Sequence, residues 1–134
     1  MSKLYLDTNV ILDFIIRKEG EHFVQAKKVF EKVETGKLKI LLSILVVNET
    51  IWTAEKYYKI KRDEYFQELV DLLSLKGIKT IEIKKRELFE IFKILWQKNV
   101  SFPDAYLYWL SKETGQVISF DRHFVSLGAK VYHV

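Results

Sequence analysis

Four short apolar runs, each followed by residues at helical spacing, constrain this chain more than any other feature. They fall at residues 3–7, 38–42 ("LKILL"), 78–83 ("IKTIEI") and 116–120 ("QVISF"), and a last short strand is predicted at 130–133. Runs of this length suit strands. Between them the spacing predicts helices over 9–16, 21–35, 43–58, 63–75, 85–98 and 101–114. Residues 121–127 read as a loop or short helix. Phe23, Ala26, Val29, Phe30 and Val33 form one apolar helical stripe, and Gly36 stops that helix. Ser43 and Ser101 are N-cap residues, and Pro103 suits a first helical turn. Strands alternating with helices demand a mostly parallel sheet with helices on both faces. The reading is one α/β domain over 1–134, with about four or five strands. In such folds sites gather at the carboxyl edge of the strands.

That rule gives meaning to the stretch "LYLDTNVILDFI", residues 4–15. An apolar strand and an apolar helix flank Asp7, Thr8 and Asn9, so the acid is placed at the sheet edge in oily surroundings. Asp121 directly follows the fourth strand. Asp104 lies in the first turn of the helix that feeds that strand. Glu49 sits about two turns into the helix after the second strand, and Leu45 and Trp52 put it on the shoulder of an apolar face. Strand polarity brings all four acids toward one cleft. Four carboxylates repel unless a cation holds them, and a hard divalent ion with oxygen ligands is the natural solution. Mg²⁺ or Mn²⁺ is therefore the expected cofactor, with Asp7, Glu49, Asp104 and Asp121 as catalytic and metal-holding residues. Thr8, Asn9 and Ser119 are the expected supporting polar groups.

Charge suggests the substrate. The chain carries 22 basic and 18 acidic residues, a net +4. Setting the four acids aside leaves 14 acidic against 22 basic, a balance of +8. An acidic pocket in a basic body suits a polyanion whose phosphate approaches a metal. There is no cysteine, so disulfides and thiolate metal sites are excluded. The uncharged stretches are too short to span a bilayer, and the expectation is a soluble, cytoplasmic protein. Abundant Lys, Glu and Ile resemble thermophile usage.

With Asp7-Thr8-Asn9, Glu49 within "NET", Asp104 within "FPDAYLYWLSKETG" and Asp121 within "VISFDRHF", in that order, the chain resembles the PIN-domain family. It is most similar to the VapC-type toxin nucleases, and the resemblance covers nearly the whole chain. It implies a three-layer α/β/α sandwich and Mg²⁺- or Mn²⁺-dependent RNA cleavage leaving a 5′-phosphate and a 3′-hydroxyl. It also implies homodimers and, for toxin members, a small antitoxin protein that blocks the site. Tyr108 and Trp109 stand where the family often has small residues.

Each acid alone has an ordinary role. Asp104 complements a helix dipole, Asp121 is a common turn residue, and Glu49 becomes a surface residue if its helix is slightly rotated. Asp7 is the hardest to dismiss, and together the four outweigh the separate readings. Asp13 reads as solvent-facing or helix-supporting. Tyr57, Tyr58, Tyr65 and Phe66, among Lys56, Lys59, Lys61 and Arg62, could stack RNA, but at helical spacing such residues are more often core or a protein interface, and the interface is the expectation. His22, His123 and His133 lack metal-ligand spacing. Arg122 and His123 can touch a phosphate or lie exposed. The alternatives are a housekeeping PIN nuclease in RNA processing or DNA repair, and a non-cleaving PIN-like binding module. A receiver-like signalling domain is disfavoured, because neither "KILLS" nor "IKTIEI" ends in a phosphoacceptor Asp.

Overall fold

A computed structural model describes residues 2–133, and they divide into two compact units, Met1–Lys84 and Lys85–Val134. The first unit is built on parallel strands. β1, Ile40–Leu42, pairs with β2, Ile78–Thr80, in the register Ile40↔Ile78 and Leu42↔Thr80. Leu41 turns its polar groups the other way: Leu6 donates to the Leu41 carbonyl at 2.9 Å and Leu41 donates to Leu4 at 2.8 Å. β1 is thus the middle of three parallel segments, the first bridging only through Tyr5. That segment stops because Asp7 already caps the helix that follows.

Four α-helices and a π-helical turn accompany these strands among the described residues. α1, Thr8–Ile15, and α2, Phe23–Glu34, pack together, with Phe14 stacking near Phe23 and Phe30. Gly36, at φ 80°, closes α2 in a left-handed turn that only glycine adopts freely. α3, Ile44–Trp52, was expected to run to Tyr58 as one helix. Instead it passes into a π-helical turn over Thr53–Tyr57, and Lys59, at φ 58°, ends it. α4, Arg62–Leu73, buries Tyr65, Phe66, Leu69, Leu72 and Leu73. Tyr65 is 2% exposed and Phe66 6%, so these two aromatics belong to the core, while Tyr57 lies exposed.

The second unit opens with α5, Lys85–Lys98, whose Leu88, Ile91, Phe92 and Leu95 form one buried stripe. α6, Phe102–Ser111, packs on it through Phe92 and Phe102, and Trp109 donates to Glu90 at 3.0 Å. Val117 and Val131 make a single parallel bridge, and α7, His123–Leu127, lies between them in the chain. Among the described residues only β1 and β2 are regular strands, so the sheet does not reach the four or five strands expected. "QVISF" falls short because only Val117 is buried, whereas Phe120 is 95% exposed. No helix among the described residues is long and apolar enough to cross a membrane.

Candidate functional site

Asp7 is exposed at the carboxyl edge of the first unit's sheet. Leu6, Ile11 and Leu12 turn inward while Leu4 and Tyr5 stay exposed beside the carboxylate, which corrects the expectation of an acid in oily surroundings. One oxygen, Oδ1, accepts the Thr8 N–H at 2.8 Å and caps α1. Thr8 is buried, and among the described residues its hydroxyl is a buried polar group without a hydrogen-bond partner. Such a group costs about 1–3 kcal/mol. Asn9, expected to support the acid, is engaged elsewhere. Arg17 donates from Nη2 to the Asn9 side-chain oxygen at 3.0 Å and to its main-chain carbonyl at 3.1 Å. The same guanidinium bonds Asp13 at 2.7 Å and the Tyr58 hydroxyl at 3.0 Å, and stands over the Tyr58 ring. Partial burial works against its charge, but Tyr58 and Asp13 outweigh that and raise its pKa above the usual arginine value. Asp13 is therefore helix support.

Glu49 is also exposed. α3 buries Val47, Thr50 and Ile51 and turns the opposite stripe outward, leaving Leu45 73% and Trp52 58% exposed beside Glu49. The shoulder of an apolar face is correct as sequence pattern, but that face is solvent-facing. The same sheet edge also carries an acid that sequence reading missed. β2 ends at Thr80, two residues short of Glu82, which frees Glu82 to accept bonds from the Ser43 hydroxyl and from the Ile44 N–H at 2.9 Å. Partial burial works against the charged form, but these bonds prevail and hold Glu82 below the usual glutamate pKa. In the alternating run "IKTIEI" nothing marks Glu82 as more than an outward strand residue.

In the second unit the expected residues are joined. Ser101 caps α6 by accepting the Asp104 N–H at 3.3 Å, which sets Asp104 in the first turn. Asp104 Oδ2 lies 2.8 Å from His123 Nε2, and both side chains are about one-third exposed or less. The His123 N–H donates to Asp121 Oδ1 at 3.0 Å, and the Asp121 N–H donates to Ser119 Oγ at 3.0 Å. These are the local bonds that Asp and Ser side chains make in turns. Ser119, Asp121, His123 and Asp104 thus form one connected chain. His123 is its centre, and only its place beside Asp121 marked it in the sequence.

The donors suit a hard divalent cation in type, since all four expected ligands are carboxylates. Among the described residues, Asp7, Glu49 and Asp121 pair with no lysine or arginine. The described side chains form no group of three or more acids or histidines that could hold a metal ion. Only the donor types, not a gathered group of described side chains, suit such an ion.

The sequence model of the PIN domain family matches residues 4–130. The chain belongs to the PIN-domain family. That match spans Asp7, Glu49, Asp104 and Asp121 together. This PIN domain is also 26% identical over 121 residues to a VapC ribonuclease of Archaeoglobus fulgidus, covering 89% of this chain and 77% of the relative.

Proposed function

We propose that this PIN domain is a metal-dependent endoribonuclease and the toxin of a VapBC-type pair. Membership of the family over a stretch that holds all four acids in order carries the reading. The ribonuclease relative supports RNA as substrate. Asp7, Glu49, Asp104 and Asp121 would hold Mg²⁺ or Mn²⁺, with Thr8 and Ser119 as polar support. Asn9 is bound by Arg17 and serves by fixing the start of α1. When bound, such an ion polarises a phosphodiester and activates water. The chain itself supplies the anionic ligands and the basic surroundings that draw in a polyanion. The proposal extends to one domain over 1–134 arranged as an α/β/α sandwich, acting in the cytoplasm as a homodimer with a small antitoxin.

The test is cleavage of a mixed RNA pool by purified protein with Mg²⁺, Mn²⁺ or EDTA. Wild-type protein should cleave only with metal, and Asp7→Asn should lose about 1,000-fold or more in rate with its fold intact. Full cleavage by Asp7→Asn would sink the assignment. A folded wild type inactive under every metal would favour the binding-module alternative.

A further inference from the structure

We infer that His123 is a positioning residue that holds the carboxylate of Asp104 in the orientation needed to receive the cation. The inference rests on the nuclease reading and adds to it a residue that the metal-ligand reading leaves aside. His123 touches both candidate ligands of its unit by different atoms: its ring meets Asp104 at 2.8 Å and its main chain meets Asp121 at 3.0 Å. A carboxylate that ligates metal is free to rotate about its last bond unless one oxygen is fixed. Here Oδ2 of Asp104 is fixed, which leaves Oδ1 as the oxygen for an ion. Hydrogen-bond partners of this kind tune ligands they do not replace, and losing one typically weakens metal binding about 10–100-fold.

The geometry also assigns the proton. An ionised Asp104 only accepts, so Nε2 must carry the hydrogen. The imidazole is additionally held against the ring of Phe124, a buried residue of α7. The ring is thus backed by packing on one side and committed to the carboxylate on the other. Among the described residues no other side chain donates to the four acids; the carboxylates of Asp7 and Asp121 accept main-chain N–H groups.

Two measurements test this in the full-length chain. The first is the imidazole tautomer by nitrogen–proton NMR on metal-free protein, followed across a pH series to the form with one ring proton. The proton should reside on Nε2 and should lose that preference in Asp104→Ala. An Nδ1–H tautomer in wild type would overturn the inference whatever the metal does. The second is Mn²⁺ binding, followed by the signal of the free ion. His123→Leu should weaken binding on the order of 10–100-fold, and His123→Gln, which keeps a donor near the place of Nε2, should restore most of it. Cleavage by His123→Leu should recover as metal is raised, since only affinity is lost. Mn²⁺ affinity unchanged in His123→Leu overturns the role, and so does equal weakening in both variants, which would mean packing alone. A wild type that binds no Mn²⁺ but shows the expected tautomer sinks the nuclease reading and reduces the bond to a structural one.

Discussion

The two units hold their acids in different ways. In Lys85–Val134, Asp104 and Asp121 are tied into one hydrogen-bonded chain through His123 and Ser119. In Met1–Lys84, Asp7 and Glu49 are exposed, and among the described residues they share no partner. The strong polar bonds of the first unit are spent on scaffolding. Arg17 fastens the start of α1 to Tyr58, and Glu55 is clamped by Arg62 at 2.8 and 2.9 Å and by the Tyr65 hydroxyl. That clamp joins the π-helical turn to α4 and, with burial as the larger cause, raises the Tyr65 pKa. One unit therefore fixes its acids directly, and the other fixes the backbone that carries them.

The widest effect should come from a double-mutant cycle on cleavage. Asp7→Asn and Asp104→Asn should each cost about 1,000-fold or more. Combining Asp104→Asn with His123→Leu should add little further, because His123 acts through Asp104. A combined loss equal to the product of the single losses would break the view of a linked pair. Next in size is Glu55→Ala, which removes the carboxylate that Arg62 and the buried Tyr65 bond. Unfolding by denaturant should show a loss of about 2–3 kcal/mol, less than a fully buried pair because Glu55 and Arg62 keep some contact with solvent. Arg17→Ala should cost about 1–2 kcal/mol, since its bonds are charge-assisted but partly exposed. It should also lower cleavage if the start of α1 matters to Asp7. Normal cleavage in Arg17→Ala would separate the scaffold from the site.

The smallest effects concern Glu82 and Thr8. Glu82 is held below its ordinary pKa, so its contribution is fully present above the unfolded value of about 4.3 and is lost as pH falls through the lower folded one. Glu82→Gln should slightly lower stability at neutral pH and flatten that acid limb of a stability–pH curve, the difference from wild type vanishing at low pH. Thr8→Val removes an unpartnered hydroxyl at nearly constant shape and should be neutral or slightly stabilising by thermal melting. A loss of more than about 1 kcal/mol would mean that the hydroxyl has a partner in solution.

The legibility of this molecule divides along similar lines. The helix over 85–98 was read to the residue, because Leu88, Ile91, Phe92 and Leu95 repeat at helical spacing and nothing interrupts them. The caps at Ser43 and Ser101 were equally plain, since a hydroxyl before an apolar run has few better uses. The outer strands were overread: an apolar run states that a segment is extended but not how many ladder bonds its neighbours offer. Glu49 shows the same limit in a helix. Its neighbours Leu45 and Trp52 are apolar yet exposed, because α3 is apolar on more than one face.

What the sequence determined by itself was local: where helices start and stop, which segments extend, and the order of acids that marks the family. Each of these follows from residues a few positions apart. What only the tertiary structure decided was partnership. Asp104 and His123 lie 19 positions apart, Arg17 and Tyr58 lie 41 apart, and Ser43 and Glu82 lie 39 apart. No period or spacing encodes such pairs, because each depends on how separate elements pack and on the direction a side chain takes once its neighbours are buried.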